Sequence, residues 1–187
     1  VAALAFAKLE GIPLEVAKAA LTDVKVLPGR MEFIDLPAHK GKDFKVLVDY
    51  AFLPQTLKKV YETLTVSYKL KNKNLVCVIG STGGGRDKYK RPILGDVAAE
   101  FCKKVIVTNE DPYDEDPMEI IDEVAHRHDF VKILDRRAAI CEALKSAENG
   151  DIVVITGKGA EPWIMGPRGS KTAWDDRVVV REELKKL

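Results

Sequence analysis

Five short apolar runs, each separated from the next by a stretch with helical spacing, constrain this chain more than any other feature. They are FKVLVDY, NLVCVIG, VIVTNE, FVKIL and DIVVITG, beginning at Phe44, Asn74, Val105, Phe130 and Asp151. Runs this short read as strands, NLVCVIG as a buried one. Between them LPQTLKKVYETL puts Leu57, Val60 and Leu64 on one side of a helix, and RPILGDVAAEFCKK carries Pro92 in its first turn, where a missing N–H costs little. DPMEIIDEVAHR and RRAAICEALKSAE complete the alternation, and DDRVVVREELKKL reads as a closing helix. Strands alternating with helices predict an α/β fold: a Rossmann-like, mainly parallel sheet with helices on both faces.

Two segments stand apart from that pattern. EPWIMGPRGSKTAW predicts a C-terminal hairpin turning at Gly166–Gly169, packed down by Trp163 and Trp174. The opening VAALAFAKLEGIPLEVAKAAL predicts two helices around a Gly-Ile-Pro turn, and LPGR at Leu27–Arg30 breaks their spacing. After it MEFIDL reads as a further strand, with a polar turn over 39–43. The change of character divides the chain into residues 1–28 and 29–187.

Ligands of parallel sheets sit beyond the carboxyl ends of the strands. The loops expected there are DYAFLP, GSTGGGRDKYKR, TNEDPYDEDP and TGKGAEPW. The glycine loop lets backbone N–H groups approach an anion, and Arg86 is able to hold a carboxylate or phosphate through two parallel hydrogen bonds. The spacing Gly80-x4-Gly85 is that of a Walker A loop, but Arg86-Asp87 stands where Lys-Ser/Thr is required. A plain tight turn with a solvated basic flank is the competing reading. Glu110, Asp111, Asp114, Glu115 and Asp116 give the next loop the opposite sign, as a receptor for a cationic amine or as helix N-terminal acids. Gly157 and Gly159 allow close backbone approach and Glu161 adds an anion, unless the glycines serve only their turn. Arg30, at the segment boundary, is a surface charge or reaches across a cleft.

A formal net charge of +1 gives no global field for nucleic acid or an anionic membrane, and no run is apolar enough to cross a membrane. His39, His126 and His128 lie in polar surroundings without metal-ligand spacing, so they read as surface residues and no metal site is expected. The three cysteines include no CxxC pair, and an odd count argues against a disulfide framework. Cys77 and Cys141 read as buried thiols, which favours a reducing cytoplasm.

Taken in order, GRME, VDYA, GGGRDKYKRP, VTNEDPYDEDP, DRRAAI, GKGAE and DDR resemble the C-terminal domain of the Mur ligases. The nearest likeness is to the UDP-N-acetylmuramoyl-tripeptide synthetases, which add the third residue of the peptidoglycan stem peptide. The resemblance spans Gly29 to the end, and residues 1–28 look like the last helices of the family's central ATPase domain. It implies an ATP-dependent, magnesium-assisted ligase joining a free amino acid to a UDP-N-acetylmuramoyl peptide in the cytoplasm. ATP activates the peptide carboxylate as an acyl phosphate, and the amine of the amino acid attacks it. Most of the ATP and magnesium site belongs to the central domain, so this chain by itself is expected to be inactive. By the resemblance, Arg30, Asp49, Tyr50 and Phe52 lie on the nucleotide side, with Arg30 on phosphates and Asp49 near the ribose. Arg86 holds the α-carboxylate of the amino acid; Glu110, Asp111, Pro112 and Tyr113 read its side chain; Gly157 and Glu161 add contacts, Glu161 facing an ammonium.

Three positions depart from the family pattern. Phe52 and Ala160 replace histidines of DYAH and GKGHE, and Tyr113 stands where enzymes that add meso-diaminopimelate carry an arginine. A phenol cannot grip a distal carboxylate in two places, so lysine or another diamine is expected over diaminopimelate. A non-catalytic Mur-like binding module is the alternative. A dinucleotide-dependent oxidoreductase is disfavoured, because its fingerprint glycines are not in place.

Overall fold

The computed structural model describes residues 2–24, 27–35, 43–70 and 73–187. Two helices open the chain, α1 (Ala2–Leu9) and α2 (Leu14–Asp23). A six-stranded sheet follows, built from β1 (Glu32–Phe33), β2 (Lys45–Asp49), β3 (Leu75–Ile79), β4 (Cys102–Thr108), β5 (Val131–Ile133) and β6 (Ile152–Thr156). Its order is β1-β2-β6-β3-β4-β5; β1 is antiparallel to β2 and every other pair is parallel. The helices α3 (Pro54–Ser67), α4 (Lys90–Phe101), α5 (Pro117–Ala125) and α6 (Arg136–Ser146) connect the strands, and α7 (Asp176–Leu184) closes the chain.

The period of two along each strand sorts the core into two layers. Leu47, Cys77, Ile79, Val107 and Val154 face α3, α4 and α5, whose Leu57, Leu64, Leu94, Ala98 and Ile121 are buried against them. Val46, Val76, Val78, Ile106 and Val153 face the other way, onto Ala139, Ile140, Val179 and Val180 of α6 and α7. Helices therefore cover both faces, as the alternation predicts. The hairpin also forms, from β7 (Trp163–Met165) and β8 (Lys171–Ala173), with a 3-10 turn at Pro167–Gly169. Trp174 is packed against the second core layer and donates to Asp176 (2.8 Å), whereas Trp163 is 42% exposed.

Several sequence expectations need correction. The fourth helix stops at Phe101, and Cys102-Lys103-Lys104, read as helical, begins β4, where it is drawn into register with Leu75 and Val76. Within the described part of MEFIDL the strand is Glu32–Phe33, and Met31, with a left-handed φ of 47°, stays outside it. The cysteine parity argument fails. Cys77 is bonded to Cys102 with a Cα separation of 6.1 Å, and only Cys141 is free. Cys77 lies two residues beyond Leu75, the register partner of Cys102, so both side chains meet on one face of adjacent strands. Counting cysteines carries no such geometry. His128 is half-buried, stacked on Phe130 (4.9 Å) and 2.7 Å from Asp96, while His126 is exposed as expected. His39 and most of the expected polar turn lie outside the described residues. No helix among the described residues is long and apolar enough to cross a membrane.

Candidate functional site

The paired strand ends Asp49 with Thr156 and Ile79 with Val107 lie level, so four loops emerge together at one edge of the sheet. They enclose a cavity of about 110 Å³. The loop after β2 contributes Tyr50 and Phe52; the glycine loop after β3 contributes Thr82, Arg86 and Asp87; Lys90 enters from the start of α4. The loop after β4 contributes Glu110, Asp111 and Tyr113, and that after β6 contributes Gly157 and Glu161. The cationic and anionic corners read from separate loops therefore share one cavity.

The loop glycines make this approach possible. Gly157 has a φ of 108°, and a Cβ there would collide with Oε2 of Glu110. Only glycine lets the β6 loop close down on that carboxylate. Pro112 sits behind the cavity wall, its carbonyl pressed against Gly83, where a side chain would meet it. Tyr113 lines the cavity with its own left-handed φ of 51°.

The acids of TNEDPYDEDP divide between the two readings. Asp116 caps α5 by accepting from Met118 N (2.7 Å), and Asp114 accepts from Arg168 N (2.7 Å). Glu115 clamps the glycine loop, accepting from Gly85 N (2.7 Å) and pairing with Lys88 (2.8 Å) and Arg91 (3.1 Å). These three are structural. Glu110 and Asp111 face the cavity, and their electrostatic situations differ.

Asp111 is neutralised from within. Lys158, 1% exposed, donates to both its oxygens (2.8 and 2.9 Å) and to Oε2 of Glu161 (2.7 Å). Burial alone would lower the Lys158 ammonium, but its hydrogen bonds to the two carboxylates prevail and hold it above the ordinary lysine value. Tyr50 donates to the other oxygen of Glu161 (2.7 Å), and that bond, with burial, pushes the phenol up to about 12. Glu110 has no such counterion. Its Oε1 accepts from Thr82 (2.9 Å), and its Oε2 is buried without a hydrogen-bond partner among the described residues. Burial pushes its carboxyl up, against the pull of Arg136 and Thr82.

Arg136 explains how the two strand ends keep their spacing. It is 2% exposed, pairs with Asp176 through Nε (2.9 Å) and Nη2 (2.8 Å), and donates to the carbonyls of Asn109 (3.2 Å) and Thr156 (2.8 Å). Those carbonyls immediately precede Glu110 and Gly157.

On the expected nucleotide side, Asp49 is occupied by backbone. It accepts from Met31 N and Ala51 N, both at 2.7 Å, and so braces the Gly29–Met31 turn against β2. A Cβ on Gly29 would strike the backbone of Gly159 and Ala160, so this turn rests directly on the β6 loop. Arg30 lies over the ring of Tyr50 at 5.0 Å. Tyr50 and Phe52 stand in the wall of the shared cavity, with edge-to-face rings 5.2 Å apart. Sequence reasoning missed Lys158 and Thr82, and counted Lys90 only among the basic residues, with Arg86, Lys88 and Arg91, that favour anion binding by the glycine loop. The signal for Lys158 was present, since a lysine between two loop glycines, followed by a glutamate three residues on, has an acid within reach. Among the described residues no group of three or more His, Cys, Asp or Glu side chains is placed to hold a metal ion.

Comparison with known proteins gives the family. A family model described as "Mur ligase, glutamate ligase domain" matches residues 29–159. A UDP-N-acetylmuramoyl-L-alanyl-D-glutamate–2,6-diaminopimelate ligase of Syntrophomonas wolfei is 40% identical over 98% of this chain and 37% of its own length. The ligase of the same name from Nitrosomonas europaea is 41% identical over the whole chain, again covering 37% of the relative. The chain thus spans little more than a third of the curated relatives it matches. A solved structure of an enzyme with that name superposes with a TM-score of 0.73 at 32% identity, covering 98% of this chain. The UDP-N-acetylmuramate–alanine ligase of Thermotoga maritima shares the fold at 15% identity, with a TM-score of 0.62. With four loops converging on one cavity, and matches of this extent, the chain belongs to the Mur ligase family and carries its C-terminal domain.

Proposed function

We propose that this chain is the amino-acid-binding part of an ATP-dependent ligase that adds an amino acid to a UDP-N-acetylmuramoyl peptide during peptidoglycan synthesis in the cytoplasm. The observation that carries the reading is the cavity itself. Arg86 stands at its mouth without a hydrogen bond or ion pair among the described residues, and Glu110 lies in its wall with a free buried oxygen. An amino acid offers each of them its complement, a carboxylate and an ammonium. Residues 1–28 are the end of a preceding domain. That domain holds most of the ATP and the magnesium, which supplies charge stabilisation to the phosphoryl transfer.

Within this chain the residues bind, orient and exclude water. Arg86 fixes the carboxylate end, and Tyr50, Phe52 and Tyr113 wall off the cavity. Holding the attacking amine at one position converts a bimolecular encounter into a local one. Arg30, at the turn resting on the β6 loop, faces the nucleotide, and Asp49 braces that turn from the end of β2, linking closure of the ATP-binding domain to the cavity. Among amino acids, the side-chain pocket favours a second amine such as that of lysine. Tyr113 contributes a phenol where a distal carboxylate would need a cation, and Glu110, whose Oε2 has no partner among the described residues, is the acid left to receive an amine. The names of the relatives point instead to diaminopimelate, so the amino acid is the sharpest point to test. Phosphate release by the full-length protein, with ATP and UDP-N-acetylmuramoyl dipeptide, should rise on adding L-lysine. Faster release with meso-diaminopimelate would refute the preference. Amino-acid-independent binding of ATP without turnover would favour the non-catalytic module. The 187-residue chain alone is expected neither to hydrolyse ATP nor to form the amide.

A further inference from the structure

Several buried charges among the described residues are ion-paired. Arg91 has Glu115 and Glu123, Arg136 has Asp176, and Lys158 has Asp111 and Glu161. Lys90 and Glu110 depart from this. Lys90 is 4% exposed, yet the described residues give its ammonium no hydrogen-bond acceptor and no ion-pair partner. The face of the Phe52 ring lies 5.1 Å from Nζ. Burial draws the ammonium below the ordinary lysine value, partly offset by the charges of Glu110 and Asp87. An ammonium on a largely buried side chain with no acceptor is costly, and proteins keep such groups where something else completes them.

The unpaired oxygen of Glu110 lines the same cavity. The Lys90 ammonium and Oε2 of Glu110, opposite in sign, without a hydrogen-bond partner among the described residues and not paired with each other, therefore face one space with Arg86. We propose that Lys90 is a ligand-contacting residue of this cavity, sharing with Arg86 the carboxylate of the bound amino acid while Glu110 receives its ammonium. Phe52 then supports the cation from behind through its ring face. This assignment rests on the amino-acid-binding reading above and adds a second carboxylate contact that the sequence motifs do not reveal.

The test is calorimetric titration of the 187-residue chain with L-lysine and with L-lysinamide, which lacks the carboxylate charge. Wild type should prefer lysine to lysinamide by about tenfold or more, the scale of a charge-assisted hydrogen bond. Lys90→Met should erase most of that preference, and Lys90→Arg should keep it. Lys90→Met should also melt no lower than wild type without ligand, because it removes an unpaired buried charge. The proposal is overturned if Lys90→Met keeps the wild-type preference, or if it weakens lysine and lysinamide equally. Loss of preference in Arg86→Ala alone would leave the amino-acid site standing and remove Lys90 from it. If wild type binds neither lysine nor diaminopimelate, the amino-acid reading falls and takes this proposal with it. Should diaminopimelate bind instead, the same comparison with its amide decides the role of Lys90.

Discussion

Replacing Lys158 by methionine removes one side chain that serves two loops. In the wild type its ammonium makes three hydrogen bonds of 2.7–2.9 Å, to Asp111 and Glu161. Breaking a buried ion pair from one side costs roughly 3–5 kcal/mol. The lower end applies here. The Glu161 side chain is 39% exposed and can be rehydrated, and Asp111 keeps its bond from Met165 N (2.8 Å). For a domain of this size about 3 kcal/mol lowers the melting temperature by roughly 6–12 °C at pH 7. The pH dependence follows from the signs. The Lys158 value is raised in the folded state, so its stabilisation is complete below the ordinary lysine value and is lost only as pH rises through the raised one. Wild type therefore keeps this contribution through the neutral and mildly acidic range. In Lys158→Met the two carboxylates repel each other without a counterion, and protonation relieves them. The gap between the two proteins should narrow as pH falls from about 7 towards 4. Calorimetric melting across that range is the assay. A shift below about 2 °C at pH 7, or a gap that widens in acid, would show that Lys158 does not neutralise this pair.

Other consequences can be measured on the same chain. Gly157→Ala drives a Cβ against Glu110 and keeps a φ of 108°, so amino-acid affinity should fall about tenfold and stability by about 1–2 kcal/mol; unchanged titrations would place Glu110 outside the binding wall. Tyr50 has a phenol raised to about 12, so its hydrogen bond to Glu161 contributes fully below the free tyrosine value of about 10 and is lost as pH climbs through 12. Tyr50→Phe should consequently melt lower than wild type at neutral pH, with the difference shrinking above about pH 10. Reduction of Cys77–Cys102, which spans 25 residues, should cost about 3 kcal/mol, read as a lower melting temperature in dithiothreitol that Cys77→Ala does not show.

The parallel sheet was legible because strand and helix periods alternate cleanly, and because the runs at Leu75 and Ile152 are apolar at every position. The loops at the strand ends followed from that topology, and Arg86, Glu110, Asp111, Tyr113, Gly157 and Glu161 proved to share a cavity. What the sequence hid was pairing. Nothing in a row of letters says that Asp111 is matched by Lys158 while Glu110 is not, since that depends on which loops fold over which. Arg136, within the quoted DRRAAI, carries no local mark of its reach to Asn109, Thr156 and Asp176. Cys102 was misjudged for a related reason. Helical spacing ran smoothly through Phe101, and only registration against β3 pulled the next residues into a strand beside Cys77. Lys90 counted in the sequence only as one of several basic residues favouring an anion at the glycine loop, yet it is buried while its neighbours Lys88 and Tyr89 are exposed.

The account turns on a single binding geometry, and a crystal structure of this chain soaked with L-lysine tests it most directly. The predicted result places the ligand carboxylate between Arg86 and Lys90, with an ammonium within hydrogen-bond distance of Glu110. Density for the ligand outside this cavity, or in it with the carboxylate turned away from both cations, would contradict the account.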